Sequence, residues 1–274
     1  MAGARVADIL SALVDAGPES SWPERLVEEC RQATEMSGVG LALMSDGGGA
    51  GVLAATSGHA QQMEDLQFEL GEGPCMDASR LGRPVLCPDL ALDGHARWPA
   101  FTPGARRAGV AAAFTFPLQV GAIALGVLDL YRDRRGPLTV PQVSEAVAFA
   151  DAGVAVLLHL QGGAATDGEG RAGSAGENRP TPPGTVSGVD WAGLVDRRAV
   201  VHQAAGMISV QLDVSVGDAL LRLRGHAYAH GRSMSEVATD VVARRLRFDH
   251  SDEGTTGGSG RPDPDNPSGE ESRR

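Results

Sequence analysis

The sequence contains no lysine; all 24 of its basic residues are arginine. Isoleucine is also rare, and a GC-rich genome explains such a bias more simply than function does. Arginine still offers planar, forked donors wherever a surface meets phosphate. Long apolar runs are missing too. "VAVLLHL" (154–160) and "AIALGVLDL" (122–130) fall far short of the roughly 20 residues that span a bilayer. Asp8 and Asp15 interrupt the N-terminal stretch, which argues against a signal peptide. The expectation is a cytoplasmic protein with no membrane partner. Cysteine is scarce: Cys30, Cys75 and Cys87 are odd in number and lack zinc-binding spacing, so they read as reduced thiols with no metal. No Ser/His/Asp set and no Gly-Lys-Ser/Thr phosphate loop is legible, so neither catalytic residues nor a cofactor are expected. The "DGGGAG" stretch reads as turn glycine. A net charge of −11 excludes a protein that coats nucleic acid with its whole surface. It leaves room for a small basic patch.

What is present divides the chain in two. Residues 162–188, "GGAATDGEGRAGSAGENRPTPPGTVSG", lack apolar periodicity and read as a flexible linker. Residues 249–274 are polar, acidic and rich in Pro and Gly, and read as a disordered tail. The folded units are then 1–161 and 189–248.

In the first unit, "SWPERLVEECRQATEMSG" predicts a helix from Ser21 to Gly38, with Pro23 in its first turn. "VGLALMS" and "GVLAATS" predict a hairpin. A short helix is expected over 59–70, a short strand in "RPVLCPDL", and a helix ending at Gly109. Two strands joined across Gly121 follow, then an apolar-striped helix over 139–161. Helices enclosing hairpin-connected strands imply an α+β unit: an antiparallel sheet with flanking helices.

"LGEGPCMDASRLGRPV", "RWPAFTPGARRAGV", "FPLQV" and "LGVLDLYRD", in this order, resemble a GAF domain of the actinobacterial sensor type. The resemblance implies a sensory fold that holds a small-molecule effector against its sheet and often dimerises through its terminal helices. On this reading the loop around Cys75, Met76 and Asp77, together with Trp98, lines the ligand pocket; Trp98 reads equally well as a packed core aromatic. Some GAF domains reduce free methionine sulfoxide with cysteines. Here Glu72 and Asp77 flank Cys75, and acidic neighbours raise a thiol's pKa rather than activate it. The chain is therefore not expected to be an enzyme.

The second unit predicts an all-α three-helix bundle. Val201, Ala205, Ile208 and Leu212 form one stripe. Ser215 caps the second helix, which stops at Gly231, and "SMSE" (233–236) is a capping box for the third. About sixty residues is near the lower limit for one core, so the helices must pack closely. Gly206, costly inside a helix, is accordingly read as a position of close approach between helices.

"QAAGMISVQLDVS", "ALLRLRGHA" and "SMSEVATDVVARRL" resemble the ANTAR domain, an RNA-binding output module of antitermination regulators. The resemblance implies a homodimer that binds paired stem-loops in nascent mRNA and so excludes a competing terminator. Within 190–248 eight arginines face six acids, while the rest of the chain is acidic. Arginine forks onto phosphate or stacks on unpaired loop bases. The RNA-binding candidates are Arg222, Arg224, His226, Arg232, Arg244 and Arg245. ANTAR domains often carry Lys before the glycine, where this chain has Ala205, which implies one basic contact fewer. Dimerisation by the GAF unit would raise the effective concentration of two ANTAR units across the flexible linker. The rival readings are a DNA-binding regulator, since a three-helix bundle can present a helix to a major groove, and a GAF sensor or reductase without RNA output.

Overall fold

The structure, a computed structural model, describes residues 2–45, 48–169 and 191–249. The N-terminal unit is built in three layers around a five-stranded antiparallel sheet. Its strands are β1 (Gly38–Ser45), β2 (Gly48–Ala55), β3 (Val85–Cys87), β4 (Ala112–Val120) and β5 (Ile123–Arg132), in the order β2-β1-β5-β4-β3. Strand alternation sends successive side chains to opposite faces. Leu41, Phe114, Leu128 and Leu130 meet one helical layer, made of α1 (Ala2–Ala16), α2 (Trp22–Thr34) and α7 (Val140–Glu169). Ala42, Ala113, Val127 and Tyr131 face the other, made of α3 (Gly58–Leu70), α4 (Pro74–Leu81), the single-turn α5 (His95–Arg97) and α6 (Phe101–Arg107).

Several boundaries differ from the sequence reading. α2 ends earlier than Gly38: Glu35 adopts the left-handed conformation as its C-cap, and Gly38 opens β1. The "GGGA" glycines belong largely to β2 rather than to a turn. "GPCMDAS" is not a loop. It forms α4, with Gly73 as N-cap and Pro74 in the first turn, where a missing N–H leaves no bond unmade.

α7 runs on to Glu169, eight residues into the stretch read as linker. The remainder of that linker, 170–188, lies outside the described residues, as does the tail from residue 250. By length and composition Val140–Leu160 of α7 is apolar enough to cross a membrane, which the uninterrupted runs alone did not suggest. Half of that stretch is buried inside the protein, packed on α1, α2 and β4.

The C-terminal unit is the expected bundle of α8 (Trp191–Leu212), α9 (Val216–Ala229) and α10 (Met234–Val242). Ser215 accepts the Asp218 backbone N–H at 3.1 Å. Ser233 and Glu236 complete the capping box. Val201, Ala204, Ile208, Leu212, Leu220, Leu223, Val237 and Val241 form the core, closed at one end by Phe248.

Ala205, Ala219, Ala227 and Ala238 are buried there, as close packing requires. Gly206 is not used that way: a Cβ at this position would meet no atom within 4 Å. It faces a groove lined by Met207, Val210, Arg244 and Arg247. The reading of Gly206 as an internal contact is thus corrected, because the helix turns that residue outward. Ala205, by contrast, is fully buried.

Candidate nucleic-acid interface and effector layer

Five of the six basic candidates sit on the outer side of α9 or in the turns just before and just after α10, with their immediate partners set by local chemistry. Arg222 and His226 lie one turn apart on α9 and, with Leu221, Gly225, His230 and Phe248, line a groove of about 710 Å³. The His226 ring stacks on His230 at 4.1 Å between centroids and meets Phe248 edge-on at 5.3 Å. Arg244 is exposed on the rim of the Gly206 groove.

Arg232 and Arg245 are drawn together by one acid. Arg232 donates to Asp240 Oδ2 at 2.7 Å, and Arg245 Nε donates to Asp240 Oδ1 at 2.8 Å. These two hydrogen bonds hold the Asp240 carboxyl below its ordinary range. Both arginines therefore present a partly neutralised charge.

Arg224 behaves differently. It is half-buried and points back to the N-terminal unit, where its Nε donates to the Phe68 carbonyl at 3.3 Å. The structure thus separates it from the other five candidates.

In the N-terminal unit the four ligand candidates fall in one layer, between the sheet and α3, α4 and α6. Trp98 is 1% exposed and donates its indole N–H to Asp77 at 3.0 Å. It meets Phe101 edge-on and carries the Arg97 guanidinium 4.2 Å over its ring. Trp98 is therefore packed as core. Cys75 and Met76 are buried in the first turn of α4, and the Cys75 backbone N–H donates to Gln67 Oε1 at 2.9 Å. Glu72, adjacent in sequence, caps α6 instead by accepting the backbone N–H groups of Ala100 and Phe101 at 2.8 and 2.9 Å.

All three cysteines are buried, and none of them is in a disulfide. Burial pushes the Cys30 thiol up to about 12 and raises that of Cys87. Thiolate chemistry has little to work with at either position.

A polar cluster that the sequence reading missed lies in the same layer. Thr115 and Asp129 pair across β4 and β5, and the Thr115 hydroxyl donates to Asp129 Oδ1. Tyr131, two residues on and facing the same way, donates to Glu64 Oε1 at 3.0 Å and accepts from Gln67 Nε2 at 2.9 Å. Gly40, the β1 partner of Asp129, leaves the space that the Glu64 carboxyl fills. Burial, reinforced by Glu64, pushes the Asp129 carboxyl well above the usual carboxylate range. Burial also raises the Tyr131 phenol. The signal was in the sequence: "GVLDLYR" places an acid at an inward position of an apolar strand.

Residues 24–157 match the GAF domain family, and residues 194–242 match the ANTAR domain family. The chain carries a GAF domain followed by an ANTAR domain. Both are regulatory domains. Among solved structures, the chain is similar to the GAF domain of a phosphoenolpyruvate-protein phosphotransferase from Acinetobacter, at 12% identity and a TM-score of 0.44, covering 58% of this chain and 93% of that one. The corresponding Coxiella burnetii domain gives 17% identity and a TM-score of 0.44, over 60% and 97%. A type II free methionine-R-sulfoxide reductase from Thermoplasma acidophilum gives 14% and 0.40, over 52% and 93%. No curated protein matches the sequence.

The ANTAR match covers Arg222, Arg224, His226 and Arg232, while Arg244 and Arg245 lie just beyond its end. The GAF match covers the whole buried polar cluster together with Cys75, Met76, Asp77 and Trp98.

Proposed function

We propose that this protein is a cytoplasmic, signal-responsive regulator. Its ANTAR bundle binds stem-loop RNA in nascent transcripts and controls termination. Its GAF domain senses a small molecule and aids homodimerisation. One observation carries the RNA reading: two helical glycines, Gly206 and Gly225, leave open space in grooves lined by Arg244 and Arg247 and by Arg222 and His226. A glycine there lets a backbone approach the helix, and the arginines beside it supply donors for phosphate and loop bases. For the GAF domain, the burial and raised pKa of Cys30 and Cys87 favour a bound effector over thiol-based redox sensing.

The test compares full-length protein on a tandem-hairpin RNA and on duplex DNA of matched length, at one fixed salt concentration. Hairpin RNA is expected to bind more tightly. Arg222→Ala combined with Arg244→Ala is expected to weaken that binding by about tenfold or more, since each lost contact is worth about 1–3 kcal/mol. Equal binding to duplex DNA favours the DNA-regulator reading. Binding unmoved by the double substitution removes these grooves from the interface.

A further inference from the structure

The ANTAR bundle does not complete its core alone. Phe68, on the GAF helix α3, is 5% exposed and packs within the cluster formed by α8, α9 and α10. Its ring lies 6.3 Å from that of His202 on α8, and α8 also runs against β2. Arg224 reaches across from α9 to the same point. Its Nε donates to the Phe68 carbonyl, one of the last carbonyls of α3. Such carbonyls lack helical partners and form the negative end of the helix dipole, which favours a cation.

Gly71 makes the approach possible. It holds the left-handed C-cap conformation with φ of 62°. A Cβ there would come within 3.0 Å of the Arg224 guanidinium.

The clasp is not fully satisfied. Arg224 Nη2 is shielded from solvent and has no hydrogen-bond partner among the described residues. The charge that bears on Arg224 is another cation, Arg80 on α4; burial and then Arg80 both lower its pKa. An arginine buried without a carboxylate is held at a cost, and a phosphate group would hold it better.

α3 also has an inner side. Glu64 and Gln67 bond Tyr131 within the GAF domain, and Phe68, the next residue, faces the ANTAR core. The same helix therefore touches the buried polar cluster and the clasp.

We propose that the GAF face formed by β2 and the C-terminal end of α3 is a docking surface for the chain's own ANTAR domain, and that RNA competes with it for Arg224 and the adjoining face of α9. The docked form is the RNA-closed form. This inference rests on the RNA-binding reading above. Only molecules with the clasp open bind RNA fully, so apparent affinity scales with the open fraction.

The test uses full-length protein, a labelled tandem-hairpin RNA at fixed salt, and hydrogen exchange of α9 as a measure of docking that needs no RNA. Phe68→Ala removes the seated ring. It is expected to speed exchange in α9 and tighten RNA binding by about tenfold, as the open population rises. Arg80→Glu replaces an exposed cation, paired only at 3.8 Å with Asp77, with a partner for Arg224; Arg80→Gln, which removes the cation without adding an acid beside Asp77, serves as the control for that lost pair. Arg80→Glu is expected to slow exchange in α9 and weaken RNA binding by about two- to fivefold, the range of a partly exposed ion pair. Opposite shifts from Phe68→Ala and Arg80→Glu support the clasp. Faster exchange in Phe68→Ala with RNA binding unchanged overturns the competition. Exchange unmoved in both variants overturns the docking itself. If exchange shifts as expected but no form of the protein binds RNA, the RNA reading fails, and the competition with it, while the docking surface stands.

Discussion

Tyr131 donates its hydroxyl proton to Glu64 at 3.0 Å, joining strand β5 to helix α3 across 67 residues of sequence. Asp129 lies beside this bond, buried, with Thr115 as its donor and Glu64 as its acidic neighbour. The cluster fixes α3 over the sheet through hydrogen bonds to Tyr131 rather than through a salt bridge.

That arrangement makes stability depend on pH with a definite sign. Asp129 has a carboxyl pKa raised by burial in the folded chain. Its contribution is complete below the unfolded carboxyl value of about 4 and is lost as pH rises through the raised folded value. Denaturant midpoints of the wild type should therefore fall as the pH rises above about 4, and those of Asp129→Asn should fall less. A constant difference between the two proteins across this range would remove Asp129 from the account.

Gly206 sits inside α8 with open space where a side chain would be. Gly206→Ala should raise the unfolding free energy by about 0.5–1 kcal/mol through helix propensity alone. The added methyl group projects into the Arg244 groove, so hairpin RNA should bind more weakly to the more stable protein. Stability and binding measured on the same preparation check this. Stabilisation without loss of binding would show that nothing approaches α8 there.

Asp240 ties up two of the candidate arginines, Arg232 and Arg245. Asp240→Asn should return both to the surface field. Hairpin RNA affinity is expected to rise, and the slope of log K against log salt to steepen by about 1–2, roughly one for each further phosphate neutralised. A titration at several salt concentrations measures that slope directly. An unchanged slope would place both arginines outside the interface.

The thiols should be silent. Cys30, Cys75 and Cys87 are buried and outside any disulfide, and burial holds the Cys30 thiol at about 12. An aromatic disulfide reagent should label none of the three in the folded protein and all of them after unfolding. Rapid labelling of Cys75 or Cys87 in the native state would reopen the reductase reading.

Much of the fold was legible because its signals are local. The capping box at Ser233, the cap at Ser215 and the stripe through Val201, Ala205, Ile208 and Leu212 are read within one or two turns of helix, and each is found where the pattern placed it. α4 was missed because its start depends on Gly73 and Pro74, residues that mark turns as often as helix starts. Of the site, the sequence could name arginines but not their partners. Arg232 and Arg245 share one acid, and Arg224 turns towards another domain.

Local periodicity and capping, which depend only on neighbours a few residues apart, determined by themselves that an α+β unit precedes a three-helix bundle and that the basic residues concentrate in the second. Only the tertiary structure decided that Gly206 looks outward, that Asp129 and Tyr131 meet Glu64, and that Arg224 lies on the end of α3. Those facts depend on contacts between residues far apart in the chain, whose burial and hydrogen bonding no local pattern encodes.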